Sequence, residues 1–158
     1  TNSSGRGLVC KGSGTNVDVT ECCFKKCHSN VMFVCGGATA TAIRCDFLES
    51  VNGCGVYCRD ANTKVRLIDC KMHHNGHGLW ANEHAVVNLQ GTKTDIHSNK
   101  LDGIHASGRG KVNIHLPSQH NTSHDNVEED RRQYNGGSIA NINADGTFTH
   151  VEEDDDDY

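Results

Sequence analysis

The sequence has a single proline and a single tryptophan, and it lacks any apolar run long enough for a membrane-crossing helix. Without such a run no helical membrane span is expected, and no secretory signal is visible. Aromatic residues make up 5% and hydrophobic residues 35% of the chain, and no stretch of helical periodicity stands out. There is also no basic stripe. The formal charge is -5, but Glu152, Glu153 and the run Asp154 to Asp157 hold six negative charges, which leaves the body nearly neutral. The electrostatic footprint of a nucleic-acid binder is therefore missing, and neither nucleic acid nor membrane is an expected partner.

What remains is glycine (17 residues), histidine (11), cysteine (9), many asparagines, and short runs of Val, Ile and Thr. That profile is rich in strands and turns. The chain starts with Thr1 and enters its pattern partway through, as expected of a fragment of a longer chain or a subunit of a larger assembly.

Three internal registers repeat. The first runs Leu8-Val9-Cys10, Phe33-Val34-Cys35, Val56-Tyr57-Cys58, Leu79-Trp80-Ala81 and Ile104-His105-Ala106. The second runs Val17-Asp18-Val19, Ala40-Thr41-Ala42, Val65-Arg66-Leu67, Val87-Asn88-Leu89 and Val112-Asn113-Ile114, each apolar, variable, apolar, as in a strand with one buried face. The third begins at Cys22, Cys45, Cys70 and, after an insertion at Gly91-Thr92, Thr94. Turns at Asn30, Asn52-Gly53, Asn75-Gly76 and Asn99 close the units. Three short strands per 22 to 25 residues describe one coil of a β-solenoid.

These residues, an apolar-x-Cys-x-apolar strand, a polar Asn turn, then Gly-apolar-x-Cys or Ala, resemble the right-handed parallel β-helix repeats of pectate-lyase-like proteins and of certain F-box proteins. The resemblance covers about residues 7 to 116 and implies the fold and its handedness. It leaves function open, because this repeat serves lyases, epimerases, adhesins and non-enzymatic scaffolds alike. The expected architecture is all-β, a single-stranded right-handed parallel β-helix of about five coils over residues 1–116. A capping segment and final strand follow over 117–147, and an acidic flexible tail over 148–158.

Stacking assigns the cysteines. Cys10, Cys35 and Cys58 are expected to form one inward ladder and Cys22, Cys45 and Cys70 another. Repeat-locked positions and an odd total favour free thiols and a reducing, intracellular compartment. Cys22, Cys23, Cys27 and His28 lie close enough to raise a zinc reading. No paired CxxC accompanies them, so no metal and no cofactor are expected. Cys54 has no place in either ladder.

The central residue of each first-register triplet points outward, giving the column Val9, Val34, Tyr57, Trp80, His105. Such an apolar and aromatic stripe calls for a cover or a ligand. It is either covered by residues 117–134 or a partner, or it is a platform. In the second case Tyr57, Trp80 and His105 bind a protein or polysaccharide, with Arg59, Asn82 and Glu83 at the edge. A non-enzymatic binding or scaffold module is the first reading. The alternative is a polysaccharide lyase or epimerase acting on an acidic polysaccharide. There Arg59 or Arg66 would neutralise a uronate, His74 or His77 would act as base and Tyr57 as acid. The second-sheet column Asp18, Thr41, Arg66, Asn88, Asn113 is the fallback binding face.

Overall fold

Each apolar-x-apolar triplet buries one face, and three such strands meet around a common core. The computed structural model describes residues 5–118 and 122–150. The first coil holds β1 (Leu8–Lys11), β2 (Asn16–Thr20) and β3 (Cys23–Lys25), and the second β4 (Met32–Cys35), β5 (Thr39–Ile43) and β6 (Asp46–Leu48). The third holds β7 (Val56–Cys58), β8 (Lys64–Ile68) and β9 (Lys71–His73), and the fourth β10 (Leu79–Ala81), β11 (Val86–Gln90) and β12 (Asp95–His97). The fifth holds β13 (Ile104–Ala106), β14 (Lys111–His115) and β15 (Ser123–His124). β16 (Arg131–Gln133) and β17 (Ser138–Ile142) begin a sixth, and β18 (Phe148–His150) ends the described strands. Corresponding strands of successive coils pair in parallel, building three sheets that enclose the core. Among the described residues there is no helix, and hence none able to cross a membrane.

The inward positions are apolar rows. Met32, Val56, Leu79 and Ile104 stack in the first sheet, Val65, Val87, Val112 and Ile139 in the second, and Phe47, Met72 and Ile96 in the third, all at most 1% exposed. Burying each such side chain contributes about 1.5–3 kcal/mol. The corners are made by single residues with left-handed backbone. Glu21, Arg44 and Asp69 bend the chain into the third sheet, and Lys26, Glu49, His74, Ser98 and Asp125 bend it out again. One residue of positive φ turns a strand within one step, and stacking on its neighbours offsets the strain.

One corner carries a buried amide ladder. Asn75 donates from Nδ2 to Phe47 O at 3.0 Å and accepts the Ser50 amide at 3.0 Å. Asn99 donates to Met72 O at 3.2 Å and accepts from Asn75 N at 3.1 Å, and Asn126 accepts from Asn99 N at 3.1 Å. Asn75 and Asn99 are therefore inward rungs as well as turn residues. At the opposite corner Cys22, Cys45 and Cys70 do form a ladder: Cys45 Sγ donates to Ile43 O at 3.4 Å and Cys70 Sγ to Ala42 O at 3.3 Å.

The other cysteine ladder needs correction. The register places Met32 opposite Leu8 and Val56, so Cys10 and Cys58 flank Val34, while Cys35 lies opposite Lys11. The outward residue of the second coil is accordingly Phe33, not Val34. A one-residue slip exchanges the two faces of a strand, and in this coil Val31 stands where Gly55, Gly78 and Gly103 mark the strand starts elsewhere. All nine cysteines are free.

Coiling also continues past residue 116. The segment expected to cap the solenoid supplies β15 and β16, which pair with β12 and β13, and β17 pairs with β14. Its repeat is hard to see because the inward positions turn polar. Arg131 and Gln133 lie opposite Ile104 and Ala106, and Asn141 lies opposite Ile114. These polar inward residues belong to the last coil among the described residues. The Gln133 side chain accepts the Ile139 amide at 2.6 Å, and burial pushes the Arg131 guanidinium down from its ordinary value. The turn at Asn143 to Gly146 reverses the chain, so Phe148–His150 pairs antiparallel with β17 and protects that edge. The acidic run from residue 151 lies outside the described residues.

A Cβ added at Gly78 would lie 2.7 Å from Gly103 O and 2.8 Å from Asn99 Nδ2, and would also meet Ile96 Cγ2. Gly78→Ala is expected to destabilise the protein by about 1–3 kcal/mol in urea denaturation. Titration of the denatured, unreduced chain is expected to find all nine thiols free, and a count near one would contradict the stacking.

Candidate functional site

The alternation that buries Leu79 and Ala81 turns Trp80 outward, and the same pleat in each coil builds a column on the first sheet. It reads Val9, Phe33, Tyr57, Trp80, His105, Arg132 in paired register. Ring centroids are 5.4 Å apart for Phe33 and Tyr57, 5.0 Å for Tyr57 and Trp80, and 5.0 Å for Trp80 and His105. At the upper end the Arg6 guanidinium covers Phe33 at 4.3 Å and Arg59 lies at 5.5 Å.

Within the segment considered as a cover, Arg132 instead extends the column opposite His105, and none of residues 122–134 lines the groove beside it. Beside Tyr57 and Trp80 the surface sinks into a groove of about 480 Å³, also lined by His77, Asn30, Asn52 and Lys100. Glycines make room for it. A Cβ at Gly76 would stand 2.7 Å from Gly53 O, so the stacked Asn-Gly turns carry no side chains there. Cys54 forms part of the wall, buried, with its thiol pushed up to about 12 by desolvation. It occupies the position before Gly55 that His77 and Asp102 occupy before Gly78 and Gly103.

Both rings are held in place. Trp80 Nε1 donates to Ser107 Oγ at 2.8 Å, Ser107 Oγ donates to Asn82 Oδ1 at 3.0 Å, and Asn82 Nδ2 donates to the Tyr57 hydroxyl at 3.4 Å. Asn82 thus acts on the column as a brace for its two largest rings.

At the lower end lies Asp102, with 1% of its side chain exposed. Its carboxylate meets His105 Nδ1 at 2.9 Å and His77 Nδ1 at 3.4 Å, and Arg132 Nε donates to both oxygens at 3.0 Å. Burial by itself would raise this carboxyl. The hydrogen bonds from His105, His77 and Arg132, with the Arg132 charge, outweigh burial and hold it well below the usual carboxylate range. Trp80 also contacts both imidazoles, at 5.4 Å from His77 and 5.0 Å from His105.

The structure therefore brings Tyr57, Trp80, His77, His105 and Asn82 together on one face, with Arg59 exposed at its Phe33 end and Glu83 exposed in the next turn. It takes His74 and Arg66 elsewhere. His74 bends the chain out of the third sheet and approaches His73, their Nδ1 atoms 2.6 Å apart, and Arg66 donates to Gln90 on the second sheet. On the third sheet His73, His97 and His124 stack face to face at 4.9 and 5.4 Å. Desolvation, His97 and His74 push His73 down, whereas Asp125 and Asp95 raise His124. Phe33, Asp102 and Arg132 are additions to the expected site. Asp102 had one sequence signal, its place before a repeated Gly in the same position as His77; Arg132 sits in a stretch whose repeat is masked by polar residues.

Because Asp102 is held charged in the fold, its stabilisation is full above about pH 4, the unfolded carboxyl value, and is lost as pH falls toward the depressed folded value. Asp102→Asn is expected to lower stability near neutral pH by about 2 kcal/mol, the scale of one charge-assisted hydrogen bond. The gap from wild type should narrow below about pH 4, as read by urea denaturation across a pH series.

The family model described as right handed beta helix region matches residues 1–123. No curated protein and no solved structure matches the chain at a significant level. With the match spanning most of the sequence and three parallel sheets coiling as that description requires, the chain belongs to the right-handed β-helix family.

Proposed function

We propose that this protein is a non-enzymatic binding module that takes a glycan in the groove beside Tyr57 and Trp80. The observation that carries the reading is the groove itself. Its volume of about 480 Å³ is ample for a small ligand, and two braced aromatic rings form one side. Sugar rings present apolar C–H faces that stack on aromatics, and hydroxyls that pair with amides such as those of Asn30 and Asn52. Lys100 adds a positive charge suited to an acidic sugar. The brace through Asn82 and Ser107 means that little side-chain freedom is lost on binding.

A second reading has one observation in its favour. His77 lines the groove and has a buried carboxylate at 3.4 Å, the environment of a general base. On that reading the protein is a polysaccharide lyase or epimerase acting on a uronate, with Tyr57 as acid.

Glycan-array screening followed by titration calorimetry is expected to find binding. Trp80→Ala should weaken it by about 2 kcal/mol, roughly thirtyfold in Kd, while the far-UV circular dichroism is unchanged. Unaltered affinity in Trp80→Ala would remove this face as the binding surface. Unsaturated or epimerised products from alginate or pectate, abolished by His77→Ala, would favour the enzyme instead.

A further inference from the structure

We propose that His77, Asp102 and His105 form a binding site for a divalent transition-metal ion, with zinc the best match to two imidazoles and one carboxylate. This inference is independent of the glycan reading. The ligand atoms, one from each residue, all lie within 4.8 Å of one another. In a tetrahedral zinc site with ligands at about 2.0–2.1 Å, neighbouring ligand atoms stand about 3.3 Å apart. His77 Nδ1 is already 3.4 Å from Asp102 Oδ2, and His105 Nδ1 needs to retreat by only a few tenths of an ångström from 2.9 Å; the ion would also displace the Asp102 amide, which donates to His77 Nδ1 at 3.3 Å. Two imidazoles and one carboxylate are three protein ligands that leave a fourth position open.

The charge balance points the same way. Arg132 is the cation of the cluster, and it reaches Asp102 at 3.0 Å and both Glu128 and Glu129 at 3.2 Å. Three carboxylates against one guanidinium leave two negative charges, which a divalent cation neutralises. Arg132 also bonds both carboxylate oxygens, fixing the plane of the acid from outside the site as supporting groups do around bound metals. Trp80 packs against both imidazoles and restrains their rings.

The short His105 to Asp102 contact is a hydrogen bond, so one ring proton occupies the space the ion would take. Metal entry therefore requires the other tautomer: the Nδ1 proton leaves, Nε2 takes one up from solvent, and the freed Nδ1 lone pair forms the N–metal bond, with no net proton lost from a neutral imidazole. The other histidine group is built differently. His73 and His97 lie parallel within 4°, and His97 and His124 within 17°. Rings stacked in this way face one another rather than a common point between them.

The test is calorimetric titration of tag-free, metal-free protein with zinc chloride near neutral pH, in two buffers of different ionisation enthalpy. The expected result is one ion per chain, with a binding heat that changes little between the buffers because neutral imidazoles and an ionised carboxylate release no net proton. Affinity should fall by about tenfold or more in His77→Gln and in His105→Gln, and stay unchanged in the control double variant His73→Ala, His74→Ala. Should a variant lose its β-sheet circular dichroism, the imidazole resonances of the wild-type chain replace it; zinc-induced shifts confined to His77 and His105 support the site. The proposal is overturned by no binding at millimolar zinc, by affinity that follows His73 and His74, or by a thiolate-to-metal charge-transfer band with cobalt that assigns the ion to the cysteines.

Discussion

Every coil rests on its neighbours through parallel backbone pairing in fixed register, with strands about 4.8 Å apart. A residue at a given place in one coil is therefore held against its counterparts above and below. Inside, this stacks Phe24 on Phe47, with centroids 5.6 Å apart and planes 3° from parallel, and links Ser50, Asn75, Asn99 and Asn126 through their amides. Outside, it aligns Phe33, Tyr57, Trp80 and His105. The amide ladder and the aromatic column are both products of the pairing that holds the sheets together.

Stacking at that spacing also constrains chemistry. Like charges one coil apart repel, and neutral or alternating groups are favoured. The first-sheet column follows this rule at its lower end, where buried Asp102 sits between two imidazoles and Arg132. The third-sheet histidines follow it less well. His73 is pushed down by burial, His97 and His74, whereas His124, beside Asp125 and Asp95, is raised. The two histidine groups thus differ in what surrounds them: one shares a buried carboxylate, the other mainly itself.

The groove arises from an absence of side chains. Gly53 and Gly76 stack where neither can accept a Cβ without meeting backbone, and the Tyr57 and Trp80 rings stand beside the space they leave. The hydrogen-bond chain from Trp80 through Ser107 and Asn82 to Tyr57 draws on residues of successive coils. Rigidity at this face is consequently a property of the stack, since no single coil contains the whole brace.

The repeat was legible because apolar-x-apolar strands and Asn-Gly turns are local patterns: the solenoid, the Cys22-Cys45-Cys70 ladder and the outward Tyr57, Trp80 and His105 all follow from period alone. The pattern misled where residue identity and register disagreed. Cys35 resembles Cys10 and Cys58 but lies one residue out of their row. Polar Arg131 and Gln133 hid the sixth coil by occupying inward positions. What the sequence by itself determined is the coil, because a strand's buried face is set by alternation among near neighbours. What only the tertiary structure decided is the cluster of Asp102 with His77, His105 and Arg132, since those groups lie 3 to 30 residues from Asp102 along the chain. They converge because coil stacking, and no local rule, fixes which residues of different coils face the same carboxylate.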